Sequence, residues 1–106
     1  MSDKLYLLAF YIPKEHLEPV LNKIFNAGAG QYGNYDRCAW TTEGMGRFRP
    51  LEASSPFIGE KQKDTFLSEI KVECIVSEKN IEKVKKVLLD THPYEEPAFY
   101  ILPIPS

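Results

Sequence analysis

The chain has little of what most chemistry is built from. Its 106 residues hold only two cysteines and two histidines. Cys38 and Cys74 lie far apart and fit no zinc-ligand spacing. His16 and His92 are too few for a histidine-rich bimetal centre. No apolar run approaches the roughly 18–20 residues needed to span a bilayer. A marked excess of one charge is missing as well. Thirteen Lys and Arg stand against 15 Asp and Glu, a formal net charge of −2, so bulk electrostatics advertises neither nucleic-acid nor membrane binding. Met1-Ser2-Asp3-Lys4 runs straight into an apolar stretch, without the charged region, long apolar core and cleavage site of a secretory signal. The expectation is a cytoplasmic protein with reduced thiols that act as small buried hydrophobes.

What is present is an ordinary globular composition. An apolar fraction of 43% with 26% charged residues is enough for one core, and the length suits a single domain over residues 1–106. Lys4 to Ile12 is a dense apolar run of strand length. Its two faces, Leu5/Leu7/Ala9/Tyr11 and Tyr6/Leu8/Phe10/Ile12, are both apolar, so the strand expects cover on both sides. Pro13 ends it. Leu17, Val20, Leu21, Ile24 and Phe25 then form the stripe of an amphipathic helix over about residues 14–27, with Pro19 predicting a distorted start and Gly28 and Gly30 a stop.

Tyr35 to Thr42 reads as a second strand. Glu43 to Gly46, with two glycines, reads as a bulge or turn, and Arg47 to Pro50 continues the extended chain. Residues 51–64 have turn chemistry throughout and form a long loop, of the kind that is functional or interfacial. Thr65 to Val76 is a third strand, with Ile70, Val72, Cys74 and Val76 on one face and Glu69, Lys71 and Glu73 on the other. Ser77 is placed to cap a helix over residues 78–91 whose stripe is Ile81, Val84, Val87 and Leu88. Ala98 to Leu102, flanked by prolines, is a final edge strand.

This order predicts an α+β fold of ferredoxin-like βαββαβ type: a four-stranded antiparallel sheet with two helices on one face. The first and third strands lie in the centre, and the other face is bare. So much apolar area on a bare face is costly in a monomer, and a closed homo-oligomer is the expected cover.

Five short motifs then suggest a family. They are Gly28-Ala29-Gly30; Gly33-Asn34-Tyr35 with Cys38; Gly44-Met45-Gly46-Arg47-Phe48-Arg49-Pro50; Pro56-Phe57-Ile58-Gly59-Glu60; and His92-Pro93-Tyr94-Glu95-Glu96-Pro97-Ala98. In this order, over about residues 4–103, they resemble the small PII/CutA-like domain of YqfO-type members of the NGG-interacting-factor-three-like family. That domain is found inserted in those proteins and also free-standing. The resemblance implies a trimer similar to CutA and PII signalling proteins, and it implies no settled activity. In the fused proteins a separate, larger domain carries the dinuclear metal site, so no hydrolase function carries over from it.

Candidate sites follow from the residues. Pro93 and Pro97, on either side of the charged centre of the 92–97 turn, hold it extended and rigid, displaying one imidazole and two carboxylates. His92, Glu95 and Glu96, completed by Glu60 from the loop or by Glu69 or Glu73 from the sheet, have the donor chemistry of a divalent transition-metal site, with His92, Glu95, Glu60 and Glu73 the leading set. The alternative is structural, with His92 at the helix end and solvated glutamates. Arg47 and Arg49, beside two glycines, suit an anionic ligand, although the pattern is not a phosphate-binding P-loop. A charged stripe at Glu69, Lys71 and Glu73 reads as a solvated or ion-paired face. Both cysteines lie in apolar strands where thiols are poorly activated, and no nucleophile can be named. The leading expectation is a small oligomeric binding or regulatory module, sensing a metal or small ligand near subunit interfaces. The alternative is a pure interaction domain for a separate metalloenzyme-like partner, contacting it through residues 51–64.

Overall fold

A computed structural model of the protein describes residues 4–105. The elements run β1 (Leu5–Ile12), α1 (Lys14–Asn26), β2 (Trp40–Phe48), β3 (Thr65–Ser77), α2 (Glu78–Thr91) and β4 (Phe99–Pro103). The sheet order is β2-β3-β1-β4 and every neighbouring pair is antiparallel. This is the predicted ferredoxin-like arrangement, with β1 and β3 in the centre. Leu8, Phe10 and Ile12 of β1 and Val72 and Val76 of β3 are fully buried, against Ile24 of α1 and Val84 and Leu88 of α2. Each such side chain contributes roughly 1.5–3 kcal/mol by leaving water.

Two local expectations change. β2 starts at Trp40 and runs unbroken through Glu43–Gly46, where a bulge or turn is expected. A strand needs its backbone ladder rather than its side chains, and β3 supplies a one-to-one partner for every residue from Trp40 to Phe48. The chain before β2 instead makes a tight turn, with Tyr32 and Tyr35 exchanging both backbone hydrogen bonds, at 2.8 and 3.0 Å, around Gly33 at φ 58°. The second change is at Pro19. α1 is helical from Lys14 through Asn26 with Pro19 inside it. The start carries one tightened bond, His16 N–H to the Pro13 carbonyl at 3.0 Å; further in, Pro19 has no N–H to offer the Glu15 carbonyl, which costs a hydrogen bond without breaking the helix. At α2, Ser77 occupies the N-cap position, but its hydroxyl makes no capping bond to the helix backbone; it receives one from the Asn80 side chain, at 3.3 Å.

β3 is longer than its central neighbour. β1 pairs only with Ile70–Ser77, so Thr65–Glu69 and their β2 partners, Gly44–Phe48, extend beyond the body as a two-stranded arm. The molecule is accordingly long, 51 × 24 × 23 Å. The loop after the arm, residues 49–64, folds back to the body. Ser55 N–H donates to Glu95 Oε1 at 3.0 Å, and the Phe57 ring meets His16 of α1 edge-on at 5.4 Å.

Away from the folded-back loop, the helix-free face is uncovered at Trp40, Tyr100 and Leu102. Register places Trp40 opposite Glu73 on β2 and β3, and Tyr100 and Leu102 of β4 opposite Ala9 and Leu7 of β1. Trp40 is 70% exposed, Tyr100 53% and Leu102 54%. Among the described residues no helix is long and apolar enough to cross a membrane.

Candidate functional site

Arm, folded-back loop and the 92–97 turn enclose a cleft of about 1000 Å³. Tyr11, Phe48, Pro50, Phe57 and Tyr94 give it apolar walls, and Arg47, Arg49, Glu69, Lys71, Glu73, Glu95 and Glu96 supply charge of both signs.

Local bonding at the turn builds one wall. His92 ends α2 and is buried, with 6% exposure. The Tyr94 backbone N–H donates to its Nδ1 at 3.1 Å. That leaves the proton on Nε2, which donates to the Tyr11 carbonyl at 2.7 Å. Burial holds the imidazole below its usual range, opposed by the bond to Tyr11 and by the Glu69 carboxylate. The ring is therefore a neutral peg joining the end of α2 to β1. Next to it, the Tyr94 hydroxyl donates to Glu69 Oε2 at 2.6 Å. Burial and then that carboxylate push the phenol above its ordinary range. The Glu69 side chain lies over Gly46, where an added Cβ would overlap it. Gly46 thus makes room for the Tyr94–Glu69 bond on the cleft floor.

The predicted site residues divide. Arg47, Arg49, Glu73 and Glu95 all line the cleft. Arg47 lies 3.6 Å from Asp64 and over the Phe66 ring at 4.7 Å. Glu95 holds the loop through Ser55. His92 and Glu60 stand apart. Both ring nitrogens of His92 are engaged, and Glu60 pairs with Lys63 at 2.8 Å in the exposed loop. Among the described residues no group of three or more His, Cys, Asp or Glu is gathered closely enough to hold a metal ion. The set His92, Glu95, Glu60 and Glu73 is therefore not assembled within one copy of the chain. Cys74 is buried, which pushes its thiol up to about 12, and such a thiol is a poor nucleophile. Both cysteines are free.

No protein-family model matches the chain. A protein of Halalkalibacterium halodurans named GTP cyclohydrolase 1 type 2 homolog is 39% identical over 103 residues, covering 97% of this chain and 28% of that protein. Its counterpart in Bacillus subtilis is 42% identical over 104 residues, with the same coverage. The crystal structure of a Bacillus cereus protein related to NIF3 superposes with a TM-score of 0.85 at 29% identity, over 100% of this chain and 27% of that one. The chain is a homologue of one segment of the NIF3-related proteins. It spans about 28% of the length of the relatives it matches, so the activity in their name belongs to proteins of which it is a fraction. The periplasmic divalent cation tolerance protein CutA of Archaeoglobus fulgidus superposes at TM-score 0.69 with 13% identity, over 96% of this chain and 85% of that one. At that identity the likeness establishes the CutA-like fold alone.

Two cleft residues, Tyr94 and Glu69, carry no mark in the sequence of being partners. In sequence Tyr94 reads only as part of the turn, and Glu69 as part of a charged stripe or of a metal shell. The signal that joins them is Gly46, two residues along β2 from Glu69's cross-strand partner Gly44.

Proposed function

We propose that this NIF3-related segment works as a self-associating binding module. It assembles through its helix-free sheet face, as a closed trimer, and takes a small organic ligand in the cleft over the arm end of that face, where neighbouring copies meet. One observation carries the reading: Trp40, Tyr100 and Leu102 stand more than half exposed on a single sheet face. Three large apolar side chains on a stable, water-facing sheet are costly. Cyclic symmetry covers such a face without leaving a second one open. The cleft supports the ligand half of the reading. Mostly apolar walls with a few charged groups are what an organic ligand needs, whereas a metal ion would find His92 already bonded at both nitrogens. The free thiols suit a reducing cytoplasm.

Sedimentation velocity at micromolar concentration tests the assembly. A trimer is expected, and a well-behaved monomer overturns the reading. Thermal shift against a panel of small carboxylates, nucleotides and aromatic metabolites tests the cleft. Stabilisation that Arg49→Ala or Tyr94→Ala abolishes is expected, whereas stabilisation unmoved by both places the ligand elsewhere.

A second reading is favoured by the length of the relatives. In them this segment belongs to a chain more than three times as long, so its surface has a further candidate occupant in a protein resembling the remainder. Under that reading the loop at 51–64 makes the contact. Copurification with such a protein, lost when residues 51–64 are replaced by a short Gly-Ser linker, is the expected result.

A further inference from the structure

Five of the six glycines have a reason within the chain. Gly28, Gly30, Gly33 and Gly59 adopt positive φ, which strains other residues, and Gly46 makes room for Glu69. Gly44 has no such reason. It lies mid-strand in β2, its φ is outside the left-handed region, and an added Cβ would meet nothing within 4 Å. Nor does a bulge require it, because the register is one-to-one from Trp40 to Phe48. Glycine weakens a strand, and within one it marks a place where another backbone or a ligand comes close. Neighbouring bonds keep the spot clear. Glu69, directly across from Gly44, is drawn over Gly46 and held there by the Tyr94 hydroxyl at 2.6 Å. The Trp40 indole N–H donates to Thr42 Oγ1 at 3.0 Å, tying together the two side chains that precede Gly44 on the same face.

We infer that a second copy of this chain packs its backbone against Gly44, making it the point of closest approach in the assembly; the inference rests on the self-association proposed above. Position and charge select the occupant. Gly44 shares the helix-free face with the uncovered Trp40, Tyr100 and Leu102. Gly44 itself lies on the floor of the cleft, and among the described residues Arg49, Lys71, Glu43 and Glu73, which line the cleft with it, make no ion pair. Unmatched charges of both signs on one chain are what a second copy complements, whereas a uniformly acidic or basic partner satisfies only half of them.

The test substitutes Gly44→Val, with Thr41→Val on the opposite face of the same strand as the control. Sedimentation velocity over a concentration series reads assembly. Circular dichroism and melting in the dilute range read the fold. Valine suits a strand and meets open space, so the dilute protein is expected to melt no lower than the native chain. Its assembly midpoint is expected to move at least tenfold to higher concentration, with Thr41→Val unchanged. A native chain that assembles, with Gly44→Val assembling equally well, overturns this inference and leaves the self-association reading standing. A monomeric native chain overturns both. If Gly44→Val fails to fold, Gly44→Ala decides the matter: a midpoint within threefold of native refutes the close approach. Loss of ligand stabilisation with assembly unchanged would place a small molecule over Gly44 instead, and that too overturns the inference.

Discussion

His92 shows how one residue can be conspicuous in sequence for the wrong reason. Its position beside two glutamates suggests a metal ligand, but the fold spends both nitrogens on the backbone, at Tyr11 and Tyr94. The consequence is a pH dependence. The unfolded imidazole titrates near 6.5, and burial holds the folded ring below that. The unfolded chain therefore takes up the proton first. The stabilisation is fully present above about pH 6.5 and drains away as pH falls toward the folded value. Urea midpoints measured from pH 7.5 to 5 should fall, and His92→Gln should flatten the fall. Tyr94→Phe removes the hydroxyl bond to Glu69 and should cost about 1.5 kcal/mol, the lower end for a bond to a charged group because this one is partly exposed; urea unfolding at pH 7 measures it. Neither bond is legible in sequence, because Tyr94 and Glu69 are 25 residues apart and meet only across the arm.

Among the elements, α1 and β2 are where local preference and tertiary context part. The apolar stripe of α1 was readable, and the helix forms over Lys14–Asn26 despite Pro19. Packing of Val20, Leu21 and Ile24 onto the sheet outweighs one lost hydrogen bond. Pro19 is exposed, so Pro19→Ala should raise stability by about 1–3 kcal/mol, seen as a higher urea midpoint with an unchanged slope. β2 went the other way. Gly44 and Gly46 read locally as a turn, but the ladder with β3 carries the strand through both. Strand pairing is non-local and leaves a weak mark in any short window. The helices and the central strands, by contrast, were legible to within a residue or so, because their periodicity is written in consecutive apolar positions.

For the whole molecule, Trp40 is the natural reporter. It is the only tryptophan, it is 70% exposed in the single chain, and it stands on the face proposed to be covered. Its emission should shift to shorter wavelength as concentration rises through the assembly range. Tyr100→Asp should hold the emission at the long-wavelength limit and the sedimentation coefficient at that of a monomer. Emission that stays constant over a hundredfold concentration range, together with a monomeric sedimentation coefficient, would show the face content in water.

By itself the sequence determined the order and type of the elements, the apolar layer between helices and sheet, and the bareness of the opposite face. These depend on periodicity, and periodicity is local. The cleft and its contents were decided only by tertiary structure. Arg47, Arg49, Glu73 and Glu95 come together because the arm outruns β1 and the loop folds back to the turn. His92 stays out because its two nitrogens are held by the Tyr11 carbonyl of β1 and the Tyr94 N–H of the turn. Those outcomes depend on distances between residues remote in the chain, and no local pattern of residue types encodes a distance.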